Sequence, residues 1–465
     1  MKQRIFKNKS EFILIFFFSL FLSVLLLSDH VNAAMPQFND DEAVYICEEN
    51  SGSVLTSQNE NKKIYPASTT KLMTTLVALD YVGDKMDDKV TIGDEIKLAD
   101  SDSSLADLEE GEVYPWREMF YALLVPSGND AALTIAVNVA RIETGNNTLD
   151  NDTAIREFVS LMNKKATDMG LSGTHFTNPH GLQDGDHYTT AGDLYKIAEK
   201  VMENTTIQSV VKTPVYSVKT SNNQTKKWLN TNYLLYDSTS ASQATDYFSG
   251  GANPYYNKLA LGIKTGHTDE AGRCLVFSSQ DGDKKLLGVI MNADSPDTLF
   301  GQADNAINAL SSDYQRITWT DDSGKVEDIK VKGTHFFDGR KLTVQTGGTA
   351  SSMVLNSDKD SYSKDVALNS DFFEKINDST YKIKASVSEG QQIGTLNINK
   401  NGQTVQQIAV YSNKKMRTRN FIDFIILLVV IGLIILICFY IYAKRIAKQR
   451  RMERMSARNR KRRRR

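Results

Sequence analysis

Tyr65-Pro66-Ala67-Ser68-Thr69-Thr70-Lys71-Leu72-Met73-Thr74 carries the strongest local signal in this 465-residue chain. Pro66 stands where a helix can begin, and Leu72, Met73, Leu76, Val77 and Leu79 then recur at helical spacing, which predicts a helix with Ser68 at its N-terminus. Lys71 lies three residues on, one turn away on the same face. A serine hydroxyl is a poor nucleophile near neutral pH and needs a base within hydrogen-bond reach, so Lys71 would have to be uncharged. Burial and a second cation, Lys264, would both lower its pKa as required.

Working outward, the chain predicts helices over 117–125, 130–142, 155–169 and 190–202, a hairpin over 43–55, and strands over 259–265, 273–279 and 285–291, followed by a helix over 298–310. The last two strands turn at Gln280-Asp281-Gly282-Asp283. Strands, helices, strands and a helix in that order predict an α+β body in which helices pack on an antiparallel sheet. Beyond Ser312 the composition becomes β-like, with segments at 326–331, 341–345, 352–355, 381–387, 393–398 and 404–411, which predicts a smaller all-β domain. No tandem repeat is visible.

Ser-x-x-Lys alone is weak, because it recurs at Ser209, Ser361 and Ser412. Two further motifs follow the first in chain order, Ser127-Gly128-Asn129 in a loop before a helix and Lys264-Thr265-Gly266 at the end of a strand. That placement gives the set its meaning. Ser127 is expected to relay protons, Asn129 to bond a substrate amide, and Lys264 with Thr265 to hold a carboxylate by a cation and a hydroxyl. The backbone N–H groups of Ser68 and His267 would form an oxyanion hole, aided by the helix N-terminus. This chemistry needs no metal and no cofactor.

The two ends have a different character. Residues 1–33 combine Lys2, Arg4, Lys7 and Lys9 with an apolar run over 12–27 and small residues at Ala33-Ala34, the pattern of a signal peptide cleaved near Ala33. Residues 421–442 are apolar apart from Asp423 and long enough to span a bilayer. The basic segment 443–465 then predicts a cytoplasmic tail, with the catalytic body outside a cell membrane crossed once and anionic lipid as the tail's neighbour. Between the ends lie 34 basic and 52 acidic residues, a net charge near −18 hidden by the overall −1. An acidic outer body argues against nucleic acid as its partner. Cys47, Cys274 and Cys438 are too few for a disulfide framework, and Cys47 and Cys274 are read as buried thiols.

At these residues the chain resembles the penicillin-recognising serine enzymes, and within them the low-molecular-weight D-alanyl-D-alanine carboxypeptidases. The resemblance extends over Pro66 to Thr74, Pro126 to Ala132, Asn178-Pro179-His180-Gly181-Leu182 with His187-Tyr188-Thr189-Thr190-Ala191, and Gly262 to Thr268 with Ala271-Gly272. It implies a β-lactamase/transpeptidase-like catalytic domain over 34–312 and a β-rich C-terminal domain over 313–412. It further implies acylation of Ser68 by the penultimate D-Ala carbonyl of the peptidoglycan stem pentapeptide, release of the terminal D-Ala, hydrolysis, and inhibition by β-lactam antibiotics. Two departures stand out: residues 237–257 resemble an insertion near the cleft, and the C-terminal anchor spans the membrane where many relatives have an amphipathic helix.

Three rivals share parts of the pattern. A β-lactamase would need a Glu-x-x-x-Asn pair; Glu143 and Asn147 match by count and are read as surface residues. A zinc peptidase could be drawn from His175, His180, His187, Asp184 and Asp186, which are read instead as a turn-rich loop hydrogen-bonded to backbone. A β-lactam sensor would acylate and never turn over.

Overall fold

The computed structural model describes residues 35–248 and 252–462, so the signal segment expected at 1–33 lies outside the described residues. Two compact units emerge, the first comprising 35–316 with Met353–Ser357 and the second Ile317–Ser352 with 358–462.

The first unit is built on strands β1 (Ala43–Glu48) and β2 (Ser53–Gln58), which pair antiparallel through a turn where Gly52 takes φ +66°. Four helices follow that bear on the site: α1 (Lys71–Val82), α2 (Trp116–Leu124), α3 (Asn129–Thr144) and α4 (Asn151–Asp168). A fifth, α5 (Ala191–Val201), is N-capped by Thr190, whose hydroxyl accepts the Asp193 N–H. Three long strands then meander, β3 (Ala260–Thr268), β4 (Gly272–Asp281) and β5 (Lys284–Ala293), before helix α6 (Pro296–Asp313). The sheet order is β2-β1-β5-β4-β3, antiparallel throughout, with β3 on an edge.

Alternation along these strands explains why they read as continuous apolar runs. Cys274, Val276, Leu287, Val289 and Met291 face a core shared with α1 to α5, whereas Leu275, Phe277, Leu286 and Ile290 face α6 through Leu299, Phe300, Ala303 and Ile307. The sheet is covered on both sides. Helix α6 is closed at both ends: Ser295 caps its start, and Lys284 Nζ donates to the carbonyls of Leu310, Ser311 and Tyr314 at its finish. The α+β architecture expected from sequence is the one observed.

Local differences have physical causes. The α-helix predicted to begin at Ser68 begins at Lys71, because Ala67–Thr70 is a 3₁₀ turn in which the Thr69 N–H and hydroxyl both return to the Pro66 carbonyl. A hairpin of Val215–Lys219 and Thr225–Leu229 went unread; its Trp228 is buried and donates to the Ala106 carbonyl at 2.8 Å. Met353–Ser357, expected in the β-rich domain, belong to the first unit, where Met353 joins the core of Val44, Ile46 and Leu310.

The second unit is a seven-stranded sheet of β6 (Lys325–Lys332), β7 (Lys341–Gln345), β8 (Tyr362–Leu368), β9 (Phe373–Asn377), β10 (Thr380–Ile383), β11 (Gln392–Lys400) and β12 (Gln403–Ser412). Their order is β8-β11-β12-β7-β6-β10-β9, with β6 and β10 parallel and the other pairs antiparallel. Ile329, Val331, Leu342, Val344, Ile393, Leu396 and Val410 form its core. Helix α7 (Phe421–Arg462) follows without a break between the apolar segment and the basic one. Within it, Phe421–Asn459 contains a stretch long and apolar enough to cross a membrane.

Candidate active site

The site is assembled where the turn before α1, the loop before α3, the loop 178–182 and the edge strand β3 converge. Lys71 is fully buried, and its Nζ lies 2.9 Å from Ser68 Oγ, 2.7 Å from Asn129 Oδ1 and 2.9 Å from the His180 carbonyl oxygen. Two of those neighbours are carbonyl oxygens and can only accept. A neutral amine has two N–H groups and one lone pair, so Asn129 and His180 take the two protons and the lone pair is left for the Ser68 O–H. Burial first, and the charge of Lys264 second, hold the Lys71 pKa well below the ordinary lysine value, with Asp130 opposing them.

The backbone around Ser68 is tightly constrained. Ala67 adopts φ +47°. A Cβ on Gly181 would sit 1.8 Å from the Ala67 carbonyl oxygen, and one on Gly266 would sit 3.1 Å from the Ser68 backbone nitrogen. Both positions require glycine by close approach, which brings the loop and β3 against the turn that carries Ser68.

Ser127 is 3% exposed, adopts φ +65°, and its Oγ has no hydrogen-bond partner among the described residues. A buried orphan hydroxyl on strained backbone is costly and marks a group waiting for a partner. Asp130 holds the neighbouring loop by accepting the backbone N–H groups of Ala106 and Leu108.

Lys264 is buried, with its pKa pushed down to about 7 by that burial, and its Nζ donates to the Thr265 carbonyl at 2.9 Å. Lys264 is not among the residues that line the cleft, where a direct grip on a carboxylate was expected of it; its charge bears on Lys71. Thr265, Gly266 and His267 do line the cleft, and the Thr265 hydroxyl bonds that of Thr231.

The cleft has a volume of about 450 Å³ and is lined by Ser68, Ser127, Asn129, Thr231, Thr265 and His267 among others. Its far wall is aromatic: Tyr233 stacks on Phe300 at 5.0 Å and meets Tyr247 at 5.2 Å. Tyr247 comes from the segment 237–257, so this part of it reaches the cleft. Several lining groups were not singled out from sequence. Thr231 and the loop residues Asp100 and Asp102 lie far from any motif, Arg273 directly follows the Ala271-Gly272 signature, and the His180 carbonyl is backbone, which no residue pattern reveals. The Asn178–Leu182 signature was the available hint.

The rival constellations do not assemble. Glu143 and Asn147 are exposed and outside the cleft lining. His187 Nδ1 accepts the Thr177 N–H at 3.0 Å, which puts its proton on Nε2, 2.8 Å from Thr70 Oγ1. His180 Nδ1 accepts the Leu182 N–H. Burial lowers the pKa of His187 to about 4 and that of His180 to about 3. Cys47 and Cys274 are free, buried thiols pushed up to about 11 and 12, the direction that suppresses nucleophilicity.

The family model described as D-alanyl-D-alanine carboxypeptidase, peptidase family S11, matches residues 29–295. The chain belongs to this family. The carboxypeptidase is 29% identical over 396 residues to the D-alanyl-D-alanine carboxypeptidase DacF of Bacillus subtilis, covering 83% of this chain and 88% of that one. It is 28% identical over 416 residues to DacA of Escherichia coli, covering 84% and 87%. In structure it is similar to penicillin-binding protein 5 from Haemophilus influenzae, with a TM-score of 0.63, 22% identity, and coverage of 82% of this chain and 99% of that one. That likeness concerns the fold. Like its relatives, the carboxypeptidase is a hydrolase of the S11 serine peptidases, a group with low-molecular-weight penicillin-binding proteins among its members.

Proposed function

We propose that this D-alanyl-D-alanine carboxypeptidase removes the terminal D-Ala of peptidoglycan stem pentapeptides through an acyl-enzyme on Ser68. The observation that carries the reading is the enclosure of Lys71, whose Nζ lies within hydrogen-bond distance of Ser68 Oγ, Asn129 Oδ1 and the His180 carbonyl; in the neutral form a base requires, the two carbonyl oxygens would take its N–H groups and its lone pair would face the Ser68 hydroxyl. Ser68 Oγ attacks the penultimate D-Ala carbonyl as Lys71 takes its proton. The resulting oxyanion is bound by the backbone N–H groups of Ser68 and His267. Ser127, whose hydroxyl has no partner among the described residues, passes the proton to the leaving D-Ala nitrogen, and Asn129 orients the peptide. Water then hydrolyses the ester by the same base.

Thr265 holds the substrate's terminal carboxylate, and buried Lys264 adds positive potential nearby. β-Lactams acylate the same serine because they present an amide carbonyl to the same donors. Mature protein is held at the cell membrane by α7, with the catalytic unit outside and the basic tail in the cytoplasm; the apolar stretch followed by Lys444, Arg445 and Lys448 supports that orientation.

Intact-mass measurement after penicillin treatment, with D-Ala release assayed in parallel, tests the central step. The expected result is one adduct on Ser68 and loss of both adduct and release in Ser68→Ala. An adduct mapped to another residue overturns the assignment.

A further inference from the structure

Asp423 is the one charge in an otherwise apolar stretch, yet it is fully buried, and the contacts that bury it hold a small loop against the start of α7. The segment entering the helix pairs with that loop first: Arg419 N–H donates to the Gly333 carbonyl, Thr334 bridges Thr418, and His335 N–H donates to the Arg417 carbonyl. At the helix start, Asn420 and Asp423 satisfy one another reciprocally. The Asn420 N–H donates to Asp423 Oδ2 at 2.8 Å, and the Asp423 N–H donates to Asn420 Oδ1 at 3.2 Å. The other carboxylate oxygen accepts the Phe336 N–H at 2.9 Å and lies 3.2 Å from His335 Nε2. Arg417 closes the loop from the far side by a two-nitrogen contact with Asp338.

This joint displays two adjacent phenylalanines. Phe336 is 48% exposed and Phe337 70% exposed, their rings edge to face at 5.3 Å. Folded domains rarely leave two neighbouring aromatic rings in water without a partner for them. Asp423 is the third residue of α7, so its bond to Phe336 fixes the pair at the level of the helix's first turn. Phe421, Ile422 and Phe424 are also exposed, in the same helical turn as the Asp423 that holds the Phe336 N–H. Arg417 and Arg419, which precede that turn, are exposed as well.

We infer that the Phe336-Phe337 loop is a second membrane contact, inserted into the headgroup–acyl boundary of the leaflet on the catalytic side, and that the Asp423 joint sets its depth. The inference rests on α7 spanning the bilayer. Aromatic rings favour this boundary, where an apolar body meets a polar edge. A carboxylate in hydrocarbon is strongly disfavoured, and its enclosure by His335 and backbone N–H groups keeps the first turn compatible with that depth. Cations at the edge complement anionic headgroups. The loop thereby turns a single-helix anchor into a two-point one.

The test uses the full chain reconstituted in phosphatidylglycerol–phosphatidylethanolamine vesicles, with and without lipid brominated at acyl carbons near the headgroup. Phe337→Trp replaces an exposed ring and disturbs no internal contact of the core, and retained D-Ala release reports the intact fold. The added emission of this variant over the wild type should fall roughly twofold in brominated vesicles, as for a ring at the interfacial boundary. Phe439→Trp, within the spanning stretch, serves as the depth control. Quenching at 439 without quenching at 337 overturns the inference and leaves the spanning helix standing. Blue-shifted but unquenched emission at 337 also overturns it, in favour of a protein occupant. Quenching at neither position overturns the spanning helix and the inference together.

Discussion

In the first unit two lysines, Lys71 and Lys264, are withdrawn from solvent with no carboxylate in hydrogen-bonding contact among the described residues, and the backbone of the site is bent into positive φ at Ala67 and Ser127. In the second unit the lysines behave differently. Lys325 and Lys341 share Asp328, Lys382 meets Glu374, and Lys400 meets Asp358, all at the surface, while positive φ falls on Asn401 in a hairpin turn that suits asparagine. Withdrawing an ammonium from water costs several kcal/mol even after relaxation. A fold selected for stability alone would adopt the second arrangement, and the first makes sense as the cost of a lysine that can act as a base.

The contrast is sharpest at Lys71. Replacing it by alanine should slow acylation by penicillin on the order of 10³-fold or more, with the melting temperature unchanged or raised because a disfavoured buried group is gone. Stopped-flow acylation beside calorimetry measures both; acylation at the wild-type rate would show that another group is the base. Ser127→Gly comes next. Glycine takes φ +65° without strain, so stability should hold or rise by about 1 kcal/mol, while D-Ala release falls on the order of 10²-fold for want of the relay hydroxyl. A parallel loss of stability would mean that Ser127 is structural.

Lys264→Gln gives a smaller effect with a defined sign. Lys71 must be neutral to act, and Lys264's charge helps keep it so; removing that charge raises the Lys71 pKa and moves the acidic limb of the kcat/KM profile to higher pH. A limb that stays in place, or moves to lower pH, would disconnect the two lysines. The smallest effect is expected in the second unit, where Lys382→Ala should change stability by about 0–1 kcal/mol and leave D-Ala release untouched.

Much of the architecture was legible because hydrophobic periodicity follows burial. The strands of the five-stranded sheet and the long helices packed on it were anticipated within a few residues, since both faces of the sheet are covered and the strands are apolar along their length, whereas the short helix Thr205–Val211 and the hairpin of Val215–Lys219 and Thr225–Leu229 were not. The strands that went unread in the second unit, β8 and β9, are its two sheet edges, where Ser363, Lys364 and Asp365 or Glu374 and Lys375 are exposed and blunt the alternation. Edge strands are polar to discourage pairing, so the feature that protects them also hides them. At the site, motif residues were found and backbone groups were not, as with the His180 carbonyl that helps fix Lys71.

Sequence by itself determined which side chains could carry the chemistry, because a serine needs a base, a carboxylate needs donors, and residue types announce both. It also determined the long apolar stretch, since length and composition suffice for that. Tertiary structure alone decided the protonation-bearing geometry: that Lys71 is enclosed by two carbonyl acceptors, that Lys264 is buried where its charge bears on Lys71, and that Ser127 has no hydrogen-bond partner among the described residues. Those facts depend on which distant segments meet, 71 with 129 and 180, or 335 with 423, and solvent exclusion at such meetings sets whether a charge survives.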